Sequence, residues 1–310
     1  MTSELPMSPT SLAEHIELAC LMEATARKPG NVHPGASFVD LCYDDFVQAA
    51  ASIAPVIAEA TPLTIGRTVL SAIEATQQHA RSNINLGIVL LMTPLAALSP
   101  GEPVSALHTI LEGTTWRDAA DVYRAIRLAM PGGIGKVDDQ DVAEEPTQTL
   151  REVMRLAADR DLIAAQYANG FAEVRSLAAR IRKLAEQPAA AAIDRAIPPW
   201  EQVVIAAFLQ LLSEHPDSLI VRKAGLTVAQ EARQRAAVVI HAGWPFTPES
   251  HTLFDELDLW LRANGHCRNP GTSADLIAAA LFVALREGWL TPPTKAELIT
   301  HAAAIRRARD

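Results

Sequence analysis

Asn269-Pro-Gly-Thr-Ser-Ala-Asp-Leu-Ile-Ala-Ala-Ala-Leu-Phe282 joins a tight turn to an almost wholly apolar segment. Pro270 fixes φ, and Gly271 accepts turn geometry that other residues resist. Thr272 then fits an N-cap, with Asp275 three residues on at the capping-box position. Every residue from Leu276 to Leu285 is apolar, which predicts a helix buried on all sides. Its first turn, with Thr272, Ser273 and Asp275, offers backbone N–H groups at a polar mouth, a natural anion or phosphate site. Taken alone, the same residues describe a well-capped core helix.

Working outward, the chain repeats this style. Apolar positions Leu12, Ile16, Ala19 and Cys20 keep helical spacing, and Glu23 falls on the same stripe, where a carboxylate is costly unless paired or facing a site. Lys28-Pro-Gly-Asn31 breaks that helix. Helices are expected over Tyr43–Ala60 with an interruption near Pro55, over Thr64–Ala80, and from Asn83-Ile-Asn-Leu-Gly87 to Leu98 with a kink or short break at Pro94. Further helices are expected over Val104–Glu112, Trp116–Ala129, Gln148–Ala158, Asp161–Val174, Ser176–Glu186, Trp200–Ser213, Leu226–His241, Ser250–Asn264 and Lys295–Arg309. No β alternation and no internal repeat is visible. The fold class is all-α: a single multi-helix, bundle-like domain over 1–310, its core at about 11–290, with the site at converging helix ends.

Composition narrows the function. Half the chain is apolar but only 5% is aromatic, which favours close helix packing through small side chains. A net charge of −9 argues against a nucleic-acid partner. Cys20, Cys42 and Cys267 show no paired spacing, which fits a reducing compartment. Met1–Thr10 lacks a signal-peptide pattern, and the apolar runs are too short for a membrane span. A cytoplasmic location without membrane attachment is the expectation. The oligomeric state stays open, with a homodimer among the options.

Polar residues gather at the helix breaks. Lys28 and Asn31 lie at one, and Asn83 and Asn85 at another. Asp138, Asp139 and Asp141 follow a glycine-rich loop. Asp217, Arg222 and Lys223 share a fourth break, and Asn269, Thr272, Ser273 and Asp275 a fifth. Each set has a plainer reading: helix caps for the asparagines, a solvated turn for the aspartates. Gly132-Gly-Ile-Gly-Lys136 fails the Walker A pattern, because Met130 and Val137 occupy required positions. The three aspartates do not form an EF-hand loop, but suit Mg²⁺, which takes one or two carboxylates plus phosphate oxygens. His215, Asp217 and Ser218 are too close in sequence for a catalytic triad. His266-Cys267 reads as incidental.

Lys28-Pro-Gly-Asn-Val32, Asn83-Ile-Asn-Leu-Gly87, Gln166-Tyr167, Asp217-Ser-Leu-Ile-Val-Arg-Lys223 and Pro270-Gly-Thr-Ser-Ala-Asp275 occur in an order and spacing that resembles the triphosphoribosyl-dephospho-CoA synthase family. The resemblance runs from about Leu12 to Leu285. It implies an all-α transferase that moves the 5-triphosphoribosyl group of ATP to a hydroxyl acceptor, 3′-dephospho-CoA, and releases adenine. The family stretch matching Ser82–Gly87 reads closer to Asn-Thr-His-Lys-Gly. Asn85 and Leu86 replace the basic pair here, as in the archaeal-type branch, and this bears on the acceptor more than on the nucleotide. The implied chemistry needs Mg²⁺, cations for the triphosphate, and a base for the acceptor hydroxyl. The expected assignment gives catalysis to Glu23, Asp217 and Asp275. Nucleotide contacts go to Lys28, Asn31, Asn83, Asn85, Arg222, Lys223, Asn269, Thr272 and Ser273, and the metal to Asp138, Asp139, Asp141 and Asp217. Competing readings are a ribosyl-phosphate transferase in one-carbon (pterin or furan) cofactor synthesis and a non-catalytic Mg-nucleotide-binding protein.

Overall fold

The structure, a computed structural model, describes residues 9–78, 84–129, 140–186 and 197–308. Fifteen α-helices and no strand occur among the described residues. In chain order they are α1 (Pro9–Thr25), α2 (Tyr43–Ala58), α3 (Ile65–Gln77), α4 (Leu86–Ala96) and α5 (Leu107–Glu112). Then come α6 (Trp116–Ala129), α7 (Leu150–Ala157), α8 (Leu162–Asn169), α9 (Ala172–Ala185) and α10 (Pro199–Glu214). The last five are α11 (Ser218–Ala224), α12 (Leu226–His241), α13 (Pro248–Arg262), α14 (Gly271–Arg286) and α15 (Lys295–Arg307). No single helix among the described residues is long and apolar enough to cross a membrane.

Two helices form the centre. Every residue of α4 is buried, and in α14 the whole run Leu276–Leu285 is buried. Neither has a polar stripe, so each must be surrounded. Helix α14 packs on α1, α4, α9 and α10, and α4 packs on α2, α3 and α14. Alanines at 278, 279, 280 and 284 let these neighbours approach closely, while Leu281 and Phe282 fill the remaining space. The prediction of an apolar helix buried on all sides holds.

Three local expectations need correction. Neither Pro55 nor Pro94 interrupts its helix. A proline removes the N–H that would bond the carbonyl four residues earlier. For exposed Pro55 that carbonyl belongs to exposed Ala51, where water can serve. For buried Pro94 it belongs to Leu90, and the buried Tyr167 hydroxyl donates to Leu90 O at 2.7 Å. A side chain from α8 thus replaces the missing backbone donor. Second, the helix expected over Asp161–Val174 is two. Gly170 and Phe171 both take left-handed backbone, at φ 71° and 60°, and α9 starts afresh at Ala172. Gly170 adopts that conformation freely, whereas Phe171 needs its full burial to hold it. Third, α11 is a helix where the sequence suggested only a break.

Tyr167→Phe should leave the Leu90 carbonyl buried and unpaired, at a cost of about 1–3 kcal/mol. Urea denaturation of the two proteins measures it, and an unchanged midpoint would show that the hydroxyl does not support α4.

Candidate active site

The site begins with a shared cap. Helix α10 ends at Glu214, and Asp217 opens α11, its Oδ1 accepting from Leu219 N (2.9 Å) and Ile220 N (3.1 Å). Its other oxygen reaches α14: Oδ2 accepts from Ser273 N (2.7 Å) and Ser273 Oγ (2.8 Å). The N-cap of α14 is Pro270, without a side-chain cap, so Thr272 is the second helical residue and not the cap that its sequence suggested. Asp275 makes no capping box. The anion at this helix mouth is the protein's own Asp217, so the Ser273 N–H is not free for phosphate. Asp217 is fully buried, and burial raises its pKa against the pull of the Ser273 and α11 donors.

The same interlock extends to α8. Ser218 Oγ accepts from Leu162 N at 2.8 Å. Asp161 Oδ1 caps α8 through Ile163 N and Ala164 N, while its Oδ2 pairs with Arg222 Nη1 at 2.5 Å. Arg222 therefore enters the site tied to Asp161, and its Nε is buried without a partner. Lys223 follows, half-buried. Desolvation lowers its pKa, and the charges of Cys267 and Asp40 oppose that shift.

A second wall comes from the end of α1. Fully buried Lys28 turns back, its Nζ 2.8 Å from Glu23 Oε1 and donating also to the Glu23 carbonyl. Glu23 thus has its counter-ion, which a buried carboxylate requires. Two residues of this loop are then pinned. Gly30 N donates to Asp258 Oδ1 at 2.7 Å, and Arg262, itself held by Asp258, donates to the Asn31 carbonyl. Asn31 Nδ2 donates to Asn269 Oδ1 at 2.7 Å, and Asn31 Oδ1 is buried without a partner. Two asparagines from breaks far apart in sequence thus meet.

The third wall is the start of α4. Asn85 is its N-cap by position, but its side chain turns away and donates to Thr76 Oγ1 at 2.9 Å, tying α4 to α3. Gly87 faces α14. A Cβ there would lie 2.0 Å from Asp275 Oδ2, so the carboxylate occupies the volume of the missing side chain. Asp275 is half-buried, and its side chain has no hydrogen bond among the described residues. Its pKa is raised well above the ordinary value, first by desolvation and then by Glu23 and Asp217, with Arg222 opposing. One side chain thus senses α1, α8, α11 and α14, the convergence of helix ends expected from sequence.

Of the carboxylates assigned to metal, Asp138 and Asp139 lie outside the described residues, as does Asn83. Asp141 Oδ1 accepts from Ala143 N at 2.8 Å in a loop that Tyr123 and Arg127 of α6 hold through the Gln140 and Val142 carbonyls. Asp217 already accepts four hydrogen bonds. Among the described residues no three His, Cys, Asp or Glu side chains could hold a metal ion together. The described donors do not make a cation cage. Sequence reasoning missed Asp161, Gly87, Asp258 and Arg262. Asp161 was legible as an N-cap before Leu162-Ile163, but its partner Arg222 is a tertiary matter.

The comparisons with known proteins decide the family. Residues 9–293 match the family model CitG, described as ATP:dephospho-CoA triphosphoribosyl transferase.

The chain belongs to the ATP:dephospho-CoA triphosphoribosyl transferase family.

It is a transferase of that type, and its all-α fold agrees with a crystal structure from Archaeoglobus fulgidus, provisionally named a triphosphoribosyl-dephospho-CoA synthase. That protein shares 27% identity with a TM-score of 0.58, over 78% of this chain and 99% of the other. No curated protein matches the chain.

Asp275 carries a clear pH signature. Its folded pKa is raised, so its protonated form favours the fold, and stability is lost as pH climbs from the unfolded value toward the folded one. Asp275→Asn should therefore gain thermal stability over the parent, with a larger gain at about pH 8 than at about pH 4, while losing transferase turnover. Melting curves across pH test this, and a variant that is less stable at alkaline pH would refute it. Gly87→Ala should expel the carboxylate from its seat and lower turnover by about tenfold or more, read by adenine release.

Proposed function

We propose that this transferase moves the 5-triphosphoribosyl group of ATP to a hydroxyl of 3′-dephospho-CoA and releases adenine. The observation that carries the reading is Asp275: a carboxylate with no hydrogen bond, seated on Gly87 and faced by Glu23 and Asp217, in a chain of this family. Group transfer at the anomeric carbon breaks the C1′–N9 bond to adenine and forms a C1′–O bond to the acceptor. The acceptor proton must go to a base, and adenine must leave with a proton. A carboxylate whose pKa is raised is a stronger base toward that first proton than an ordinary one. Asp275 is assigned that role.

Glu23, kept beside Lys28, supplies negative charge near an oxocarbenium-like ribosyl centre. Half-buried Lys223 suits the triphosphate, with Arg222, already paired to Asp161, adding positive charge beside it. Lys28 is fully buried on Glu23 and is not exposed for the phosphate contact its sequence suggested. The unpartnered Asn31 Oδ1 can accept from a ribose hydroxyl or the adenine amino group. Asp217 keeps a positioning role, holding α11 against α14, in place of the catalytic and metal roles its sequence suggested. Magnesium is proposed to arrive with ATP, bound to its phosphate oxygens, as triphosphates in water usually carry it. A cytoplasmic setting completes the proposal, and the three free cysteines suit it.

Purified protein incubated with ATP, Mg²⁺ and dephospho-CoA should release one adenine per acceptor modified. Chelation by EDTA should stop turnover, and added Mg²⁺ should restore it. Adenine released at the same rate without acceptor would point to a hydrolase, and none with dephospho-CoA would overturn the acceptor.

A further inference from the structure

The family match ends at residue 293, and α15 begins at Lys295. This last helix does not hang free. Thr294 caps it with a reciprocal Glu297 bond, and Lys295 Nζ pairs with Glu17 Oε2 of α1 at 2.6 Å. Arg306 lies over the Tyr43 ring and pairs with Asp44 at 2.5 Å. Ala302 is buried with Ala24, Val32 and Tyr43, on either side of the Lys28 loop.

One contact goes deeper. His301 Nε2 lies 2.8 Å from Oε2 of Glu201, a fully buried carboxylate in the first turn of α10. The same Glu201 receives Arg27 three times: the backbone N (2.9 Å) and Nε (2.7 Å) on Oε1, and Nη2 (2.8 Å) on Oε2. Burial alone would push the Glu201 carboxyl up, but the Arg27 and His301 bonds outweigh it and hold it down at about 2. A charge this buried is worth building where its geometry is needed, because removing one partner strands the others. Arg27 is the residue before Lys28. Its backbone N–H is held as well as its guanidinium, so the chain entering Lys28 is fixed at Arg27.

We infer that α15 is a clasp on the active-site loop, and that His301 and Glu201 are positioning residues that set Lys28 against Glu23 through Arg27. Neither touches the reacting atoms in this arrangement. Its effect on catalysis rests on the transferase reading above, whereas its effect on the loop does not.

Amide hydrogen exchange on the full-length protein separates the two. His301→Ala should speed exchange across residues 26–33 by about tenfold while α4 keeps its protection. His301→Gln, which retains a side-chain N–H donor, should return the loop to the parent rate. Lys295→Ala, which removes an exposed pair on the same helix, should leave the loop at the parent rate. In the adenine-release assay His301→Ala should lower kcat by about tenfold, with His301→Gln restoring it and Lys295→Ala neutral. Parent-like exchange in His301→Ala, equal acceleration by Lys295→Ala, or a faster loop with unchanged kcat would each overturn the clasp as a positioning device. The predicted exchange pattern in a protein that releases no adenine would overturn the transferase reading and leave the coupling of α15 to the loop in place.

Discussion

One carboxylate caps two helices. The core helix α14 is buried along its apolar run and begins at a proline that offers no side-chain cap. Its first N–H groups cannot all turn to water, and an unpaired buried donor costs about 1–3 kcal/mol. Asp217 answers that demand from another helix, with Oδ1 on α11 and Oδ2 on Ser273 of α14. A single buried charge at two positive helix ends is favourable to both. It also fixes the distance between those ends, and with it the placement of Arg222 and Lys223 relative to Asp275. The outward geometry of the site follows from an inward requirement of the core.

Around that cap the three central carboxylates meet three different fates. Asp217 is saturated with donors. Glu23 has Lys28. Asp275 has neither, and burial, followed by its acidic neighbours, keeps its pKa raised. A fold selected only for stability would neutralise such a group. Its persistence beside a glycine that leaves room for it is the mark of a site that holds back part of its stability for chemistry. The Arg27–Glu201–His301 network is the reverse case, a buried charge with every oxygen bonded, and it sits behind the loop that carries Lys28.

Much of the architecture was legible in the chain. Trp116–Ala129 and Leu226–His241 emerge with the bounds their periodicity predicts, because each has one apolar face and clear ends. Among the described residues the breaks at Lys28–Asn31, at Asp217 and at Asn269–Asp275 come together, and Asn31 meets Asn269. The misreadings share one cause. The local sequence predicts a kink or short break at Pro94 and a helix start capped by Thr272 after Pro270-Gly271. In the fold a distant group supplies what the local sequence lacks: the Tyr167 hydroxyl for the Leu90 carbonyl, Asp217 for the start of α14. In the other direction, Asp161–Val174 looked continuous because Phe171 suits a helix. Only its burial shows that the chain gives up helical geometry there to place that ring.

The sequence by itself determined that the chain is helical, that α14 is buried on all sides, and which polar residues stand at the breaks. Those are properties of period, apolar content and turn chemistry, all local along the chain. Tertiary structure alone decided which of those residues are spent and which are left over. Lys28 is committed to Glu23, Arg222 to Asp161, and Asp217 to two helix mouths, while Asp275 is left without a partner. Lys28 and Glu23 are near neighbours in the chain, but the bonds that tie α11 to α14 and α8 join distant groups, Asp217 and Ser273 at a separation of 56 and Arg222 and Asp161 at 61. No local pattern encodes them, and they turn a row of capping residues into a site with a free base.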